Sequence, residues 1–329
     1  MTRAVRPWLW PLVPAYRLAL ALREFQLHAG LKPVLRLRWP VVSVGNLSAG
    51  GAGKTPLTIA LAKALRARGM QVDVLSRGYG RQRSTSPLLV DPCGAAEEFG
   101  DEPLVIAREA QVPVFVAAER YEAGLLAERS ALSGFGLHLL DDGFQHRQLH
   151  REVDILLLSR GDLADHLLPA GNLRETLHAA ERADVFAVPE DEPEVVDWVK
   201  SRGWKGQVWR VRRRMDVPRT EGPVVGFCGI ARPEQFFAGL ERAGLRLVSR
   251  FAFPDHHRYS AGDVERVIAA ARKAGAAALL TTEKDRVRLG SLAANFSASI
   301  PLKTVPLRIE IEDEAAAIDG LLRRVRGEG

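Results

Sequence analysis

From residue 41 onward the chain alternates short apolar runs with segments of helical period. Strands are expected at Val41–Val44, Val72–Leu75, Leu88–Val90, Val112–Val116, Leu137–Leu140, Ile155–Leu158 and Val185–Val188. Helices are expected from Lys54 to about Arg68, around Glu102–Glu109 and around Arg120–Glu128. Strands separated by helices are the signature of a parallel α/β fold, whose crossovers need a helix's worth of chain. The stretch Glu190–Gly222 is rich in Pro, Glu and Arg, and apart from Val208–Val211 it has no apolar period, so it reads as a connector. A second alternation follows: strand Val224–Ile230, helix Pro233–Ala243, strand Leu245–Phe253, helix Ala261–Ala274, strand Ala277–Thr281, and a last helix over about Asp313–Arg324. The expected architecture is α/β, with a parallel-sheet lobe like that of a P-loop NTPase over 39–205. A hinge at 206–222 leads to a smaller α/β lobe over 223–329, an arrangement that can close over substrates and exclude water.

Residues 1–38 stand apart. On a helical projection Leu18, Leu22, Phe25 and Ala29 share one face, and Arg17, Glu24, His28 and Lys32 cluster on another. The 329-residue chain carries 46 Lys and Arg against 40 Asp and Glu. Seven of those basic residues and one acid fall in the arm, so its charge is +6 and the remainder, with 39 of each sign, is neutral. Charge confined to an arm argues against a nucleic-acid partner, which wants a basic folded face. Arg17 and Arg23 interrupt the apolar run, making it too short to span a bilayer, and no small-residue cleavage site marks a secretory signal. A basic, tryptophan-bearing amphipathic segment suits the membrane interface; the competing reading packs the same face on the protein's own core. Cys93 and Cys228 are far apart, which fits a reducing compartment and excludes a disulfide framework.

The candidate chemistry begins at the first strand. Val41–Pro56 reads strand, glycine-rich turn, then Lys54-Thr55 opening a helix. Gly50, Gly51, Ala52 and Gly53 would aim backbone N–H groups at phosphate oxygens, Lys54 would neutralise the terminal phosphates, and the Thr55 hydroxyl would ligate Mg²⁺. Ser48 stands where the strict pattern wants glycine. Leu137–His146 is an apolar strand ending in Asp141-Asp142, the acids that Mg²⁺ requires beside a phosphate loop; only one of the two is expected to face the metal. His146 and His150 lack a third ligand, so transition-metal binding is not expected, and His146 is placed at the Asp pair or the nucleotide. Asp101 opens a helix at Gly100–Pro103, and His256-His257 sit in a turn of the second lobe. Transfer to a hydroxyl needs a base or an orienting group, and Asp101 with a histidine of the opposite lobe would assemble only on closure.

Seven motifs occur in order: Gly45-Asn46…Gly50-Gly51-x-Gly53-Lys54-Thr55-Pro56, Ser76–Gly80, Gly100–Pro103, Asp141–His146, Leu173-Arg174-Glu175, Phe253-x-Asp255-His256 and Thr282–Asp285. Together the chain resembles the tetraacyldisaccharide 4′-kinases of lipid A biosynthesis over nearly its whole length. The resemblance implies ATP-dependent, Mg²⁺-assisted phosphorylation of the 4′-hydroxyl of an acylated disaccharide 1-phosphate at the cytoplasmic face of the inner membrane. It implies Lys54 and Thr55 on phosphates and metal, Asp141 and Asp142 at the metal, Gln145 and His146 lining the nucleotide cleft and Glu175 lining it at the metal. It makes Asp101 the candidate base, assisted by His256, with His257 as the rival. Arg77, Arg81, Arg83, Arg120 and Arg174 are available to grip phosphates. No obligate protein partner is expected. An assembly GTPase or metal-delivery ATPase is the alternative, but Thr282-Glu283-Lys284-Asp285 lacks the asparagine and spacing of a guanine-reading element. A scaffold that merely binds nucleotide would leave Asp101 and His256 without a purpose.

Overall fold

The structure, a computed structural model, describes residues 5–51, 53–81, 86–131, 136–297 and 300–328. The arm comes first: a 3-10 turn over Pro7–Leu12 and helix α1 over Val13–His28. The first lobe then runs β1 (Val41–Asn46), α2 (Lys54–Ala67), β2 (Val72–Ser76), β3 (Leu88–Leu89), α3 (Ala96–Phe99), α4 (Asp101–Ala110), β4 (Val114–Val116), α5 (Arg120–Ser130), β5 (Leu137–Asp141), β6 (Val153–Leu157), α6 (Arg160–Leu163), β7 (Val185–Pro189), α7 (Pro193–Ser201) and β8 (Gln207–Met215). The second holds β9 (Val224–Cys228), α8 (Pro233–Arg242), β10 (Leu247–Ala252), α9 (Ala261–Lys273), β11 (Ala278–Thr282), α10 (Glu283–Leu289), α11 (Ala293–Ser297) and β12 (Leu302–Val305). The chain then returns through β13 (Leu307–Ile311) and α12 (Glu314–Val325).

The large sheet has the order β13-β8-β7-β6-β1-β5-β2-β4-β3, with β1 at its centre between β6 and β5. Every residue of β1, β5 and β6 is buried, because helices cover both faces of a parallel sheet. Leu57, Leu61 and Leu65 of α2 are fully buried against Val42, Val44 and Leu139. At about 1.5–3 kcal/mol for each large buried side chain, this packing fixes the helix that follows the phosphate loop. The smaller sheet, β10-β9-β11-β12, is parallel throughout and packs a core around Phe227, Tyr259 and Phe296.

The expected connector proves to be structured. Within Glu190–Gly222, α7 buries Val195 and Val199 one helical turn apart, and β8 joins the large sheet beside β7. In β8 the buried Trp209 and Val211 alternate with the exposed Arg210, Arg212 and Arg214, a period-two pattern that a search for apolar runs passes over. β13 lies antiparallel to β8, pairing Leu307 with Met215 and Ile311 with Val211. The tail therefore belongs to the first sheet, and the chain passes between lobes twice, over 216–223 and at Pro306.

The arm packs against the body by its polar side. Arg6 N–H donates to the Ala170 carbonyl at 2.7 Å, the Tyr16 hydroxyl to the Arg174 carbonyl at 2.8 Å, and Glu24 pairs with Arg147. No residue of the 3-10 turn or of α1 is buried, and Trp8, Leu18, Leu22 and Phe25 are more than half exposed at 74%, 61%, 54% and 64%. The apolar face is not packed on the protein's own core. Among the described residues no helix is long and apolar enough to cross a membrane.

One glycine is fixed by close approach. A methyl group at Gly45 would lie 2.5 Å from Phe144 Cβ and 2.8 Å from its backbone nitrogen, whereas one at Gly262, on α9, meets only Ser260 Oγ at 3.9 Å. Gly45→Ala is expected to lower stability by about 1–3 kcal/mol through overpacking. Gly262→Ala is expected to be neutral or slightly stabilising. Urea-denaturation midpoints of the two variants check both.

Candidate active site

The loop between β1 and α2 has the conformation that its glycines allow: Gly50, Gly51 and Gly53 have φ of 81°, 34° and 97°. Ala52 lies outside the described residues. Lys54 Nζ donates to Asn46 Oδ1 at 2.9 Å and stands 3.5 Å from Asp142 Oδ1. Ser48, the departure from the strict pattern, has its own support. Its hydroxyl donates to Asp162 Oδ1 at 2.6 Å, and Asn46 Nδ2 donates to its carbonyl at 2.7 Å. Leu173 bridges to Ser48, and the Arg174 and Ala49 N–H groups donate to the Leu47 and Asn172 carbonyls. The Leu173-Arg174-Glu175 motif thus braces the phosphate loop from behind.

The two acids at the end of β5 diverge. Asp142 has φ of 52° and accepts a bidentate pair from Arg174 at 3.0 and 2.7 Å. Burial opposes its ionisation, but Lys54, Arg174 and Arg120 bring its pKa down to about 2. Asp141 is buried and accepts from the Thr58 hydroxyl at 3.1 Å. Its burial and the negative charges of Glu102 and Asp142 push its pKa up to about 7, against the pull of Lys54. Thr55, one helical turn before Thr58, is buried in the first turn of α2. Among the described residues no three His, Cys, Asp or Glu side chains gather as a metal cluster. A buried acid with excess negative charge around it, beside a hydroxyl and a phosphate loop, nevertheless fits Mg²⁺, which takes one or two protein oxygens together with phosphates and water.

Asp101, in the first turn of α4, is buried, and its contacts come from the second lobe. Arg288 Nε donates to its Oδ2 at 2.9 Å, Arg288 Nη2 adds a second bond to the same atom, and His256 Nδ1 lies 3.3 Å from it. All three fall on Oδ2. Burial would raise the Asp101 pKa, but the His256 hydrogen bond and the charges of Arg288 and Lys284 hold it well below the carboxylate range. The same hydrogen bond raises His256 above its ordinary value. His256 has φ of 58° and its ring is 5.5 Å from that of Tyr79, so the Ser76–Gly80 loop also reaches it. His257 turns away: Nε2 is 3.0 Å from Asp263 Oδ2 and the ring stacks on Phe253. Of the two rivals, His256 is the one brought to Asp101.

The remaining expected residues separate. Gln145 Nε2 donates to the Asn46 carbonyl at 3.0 Å. Burial and the charges of Arg120, Arg151, Arg23 and Arg77 lower the His146 pKa to about 4, so the ring is neutral at pH 7. Arg120 is itself buried, with Nε lacking a hydrogen-bond partner. Glu175, expected at the metal, bonds through Oε2 to Arg182 at 2.7 Å, while its Oε1 lies 3.5 Å from Arg23 of the arm and has no hydrogen-bond partner. Arg83 lies outside the described residues. Thr282–Asp285 is an interlobe latch: Lys284 pairs with Glu102, and the buried Asp285 accepts from Thr282, Tyr259 and the Gly229 N–H at 2.6, 2.9 and 3.0 Å. Thr58 and Arg288 were not singled out by sequence reading, and Asn46 entered it only as a motif position with no role assigned. Of the two missed residues only Thr58 had a local signal, its position one turn after Thr55.

Known proteins resemble this chain in sequence and fold. A family model described as tetraacyldisaccharide-1-P 4′-kinase matches residues 5–326. The chain is 42% identical to the tetraacyldisaccharide 4′-kinase of Koribacter versatilis, over 95% of this chain and 97% of that one. It is 36% identical to that of Anaeromyxobacter sp. strain K, over 93% and 87%. Its fold matches a crystal structure of LpxK from Aquifex aeolicus in complex with ATP with a TM-score of 0.75 and 30% identity, covering 97% of this chain and 99% of that one.

Proposed function

Since the chain belongs to the tetraacyldisaccharide 4′-kinase family, we propose that its two lobes divide the reaction, the first holding ATP and the interlobe Asp101–His256 pair receiving the acceptor hydroxyl. The enzyme phosphorylates the 4′-hydroxyl of tetraacyldisaccharide 1-phosphate at the expense of ATP, giving the bisphosphorylated lipid A precursor. The observation that carries the division of labour is the meeting of Asp101 with His256 and Arg288 across the lobes.

The N–H groups of the glycine loop and Lys54 bind the phosphates. Asp142 and Asn46 hold Lys54 in place, and Arg174 locks Asp142. Mg²⁺ arriving with ATP would be held by Thr55 and Asp141 and would neutralise phosphate charge. Asp101 is too acidic to remove a hydroxyl proton early. With Oδ2 occupied, Oδ1 orients the 4′-hydroxyl toward the γ-phosphate and takes the proton late, as a loose transition state permits. His256 and Arg288 keep Asp101 ionised and aimed. Arg77 and Arg120, beside the neutral His146, supply positive charge for the substrate's own phosphate.

The arm brings the enzyme to the cytoplasmic face of the membrane. Its exposed tryptophans and leucines enter the interface and its basic residues meet anionic headgroups, each worth about 1 kcal/mol near an anionic surface. Beneath it lies a cleft of about 730 Å³ lined by Trp10, Arg17, Leu167, Trp198 and Trp204, suited to acyl chains on their way from the bilayer. Deleting residues 1–28 is expected to move the protein from floating with anionic vesicles to remaining in the soluble fraction. Flotation that persists without the arm removes this role. Transfer of labelled γ-phosphate to tetraacyldisaccharide 1-phosphate in detergent micelles tests the kinase reading itself, and ATP hydrolysis with no labelled lipid counts against it.

A further inference from the structure

We infer that Arg213 and Arg232 form a cationic jaw for the polyphosphate of the nucleotide, set over the glycine loop from β8 and from the start of α8. The inference rests on the reading of that loop as the ATP site. A methyl group at Gly53 would lie 3.8 Å from Arg213 Nε, and one at Gly51 would lie 3.7 Å from Arg232 Cδ and Nε. The neighbouring Ala231 Cβ stands 3.7 Å from the same point at Gly50. Two guanidinium groups from different lobes therefore lie directly on the backbone that sequence and φ angles mark for phosphate.

The charge pattern of β8 separates Arg213 from its neighbours. Arg210, Arg212 and Arg214 point to solvent, and each has an acid: Glu312 at 3.7 Å, Glu190 at 2.5 Å and Glu310 at 3.3 Å. Arg213 lies on the other face, with Trp209 and Val211, and has no ion pair among the described residues. Its side chain keeps solvent access. Surrounding protein and the positive charge of Arg232 together lower its pKa, while Asp191 and Glu192 pull the other way. Holding two like charges together costs free energy unless an anion lies between them. A polyphosphate supplies that anion, and arginine's planar fork grips phosphate oxygens bidentately. Because Arg232 belongs to the second lobe, a nucleotide held by both arginines also ties that lobe to the phosphate loop.

The test uses the full chain in detergent, with ATP and tripolyphosphate as titrants in calorimetry. Arg213→Met and Arg232→Met should each weaken ATP by about ten- to a hundredfold, the worth of a charge-assisted hydrogen bond or two. Tripolyphosphate, which has no base, should weaken by the same factor. The nucleotide-free melting temperature of Arg213→Met should stay level or rise, because one of two repelling charges is gone; a merely structural arginine would lower it. ATP affinity unchanged in both variants while Lys54→Ala weakens it overturns the jaw and leaves the ATP site standing. Weakening confined to ATP, with tripolyphosphate untouched, also overturns it, since the arginines would then act on the base. ATP affinity unchanged even in Lys54→Ala overturns the loop reading, and the jaw with it.

Discussion

Lys54→Ala is expected to lower kcat for phosphoryl transfer by at least about 10²–10³-fold, the loss typical of removing one preorganised charge from a transition state. Lys54 sits at the mouth of the phosphate loop, bonded to Asn46 Oδ1 at 2.9 Å and 3.5 Å from Asp142 Oδ1. On the proposed reading, these partners keep the ammonium where the terminal phosphates would arrive, so that its charge would require little reorganisation during reaction. Removing it has a second consequence. Lys54 is the charge that opposes the upward push on the Asp141 pKa, so without it Asp141 binds its proton more tightly and is less available as a metal ligand. The loss should therefore be larger at pH 6 than at pH 8. Single-turnover transfer of labelled γ-phosphate at both values measures it, and a loss independent of pH would leave Lys54 acting on phosphate alone.

Asp101→Ala is expected to reduce kcat by about 10²–10⁴-fold, the range of a positioned acid–base group, with ATP affinity close to that of the parent. Asp101 lies in α4 and, among the described residues, none of its hydrogen bonds or ion pairs is to the glycine loop, whereas Arg288 and His256 both converge on its Oδ2. Calorimetry for ATP alongside the transfer assay separates the two effects, and unchanged turnover would remove the assignment. The same pair sets a pH dependence of stability. His256 has a folded pKa raised by Asp101, so its contribution is complete below the unfolded value, about 6.5, and is lost as pH rises through the higher folded value. The melting-temperature gap between the parent and His256→Gln should accordingly be widest below pH 6.5 and close on the alkaline side. Asp101, held far below the carboxylate range, stays ionised throughout that window.

Much of the site was legible before any coordinates because its signals are local. The glycines at 50, 51 and 53 announce a backbone that only glycine adopts freely, and their φ angles agree. An apolar strand ending in two acids announces β5, since a buried parallel strand has few other ways to end in charge. The arm's isolated positive charge and amphipathic pattern were equally plain, and the absence of any buried residue from α1 removes the core-packing alternative that the pattern alone left open. Period-two patterning interrupted by arginines was less visible. In β8 those arginines serve an edge-proximal surface lined with acids, so the strand presents only two buried hydrophobics, Trp209 and Val211. β12 and β13 were missed altogether: they are short and half-exposed, and β13 pairs with a strand far back in the chain.

The sequence by itself determined that a glycine loop would join the first strand to a helix, where its sheet would lie, and which acids would stand beside it. Each of these depends on contacts within a few turns of chain or on one side chain's intrinsic geometry. Only the tertiary structure decided that His256 rather than His257 meets Asp101, that Arg288 completes that pair, and that Glu175 belongs to Arg182 and the arm. It also decided that Asp142 is a clamped anion while Asp141 carries the unbalanced charge. These outcomes depend on which charges face one another across the lobes and how far water is kept from them. Electrostatic energy in a cleft varies with distance and burial, and residue order along the chain specifies neither.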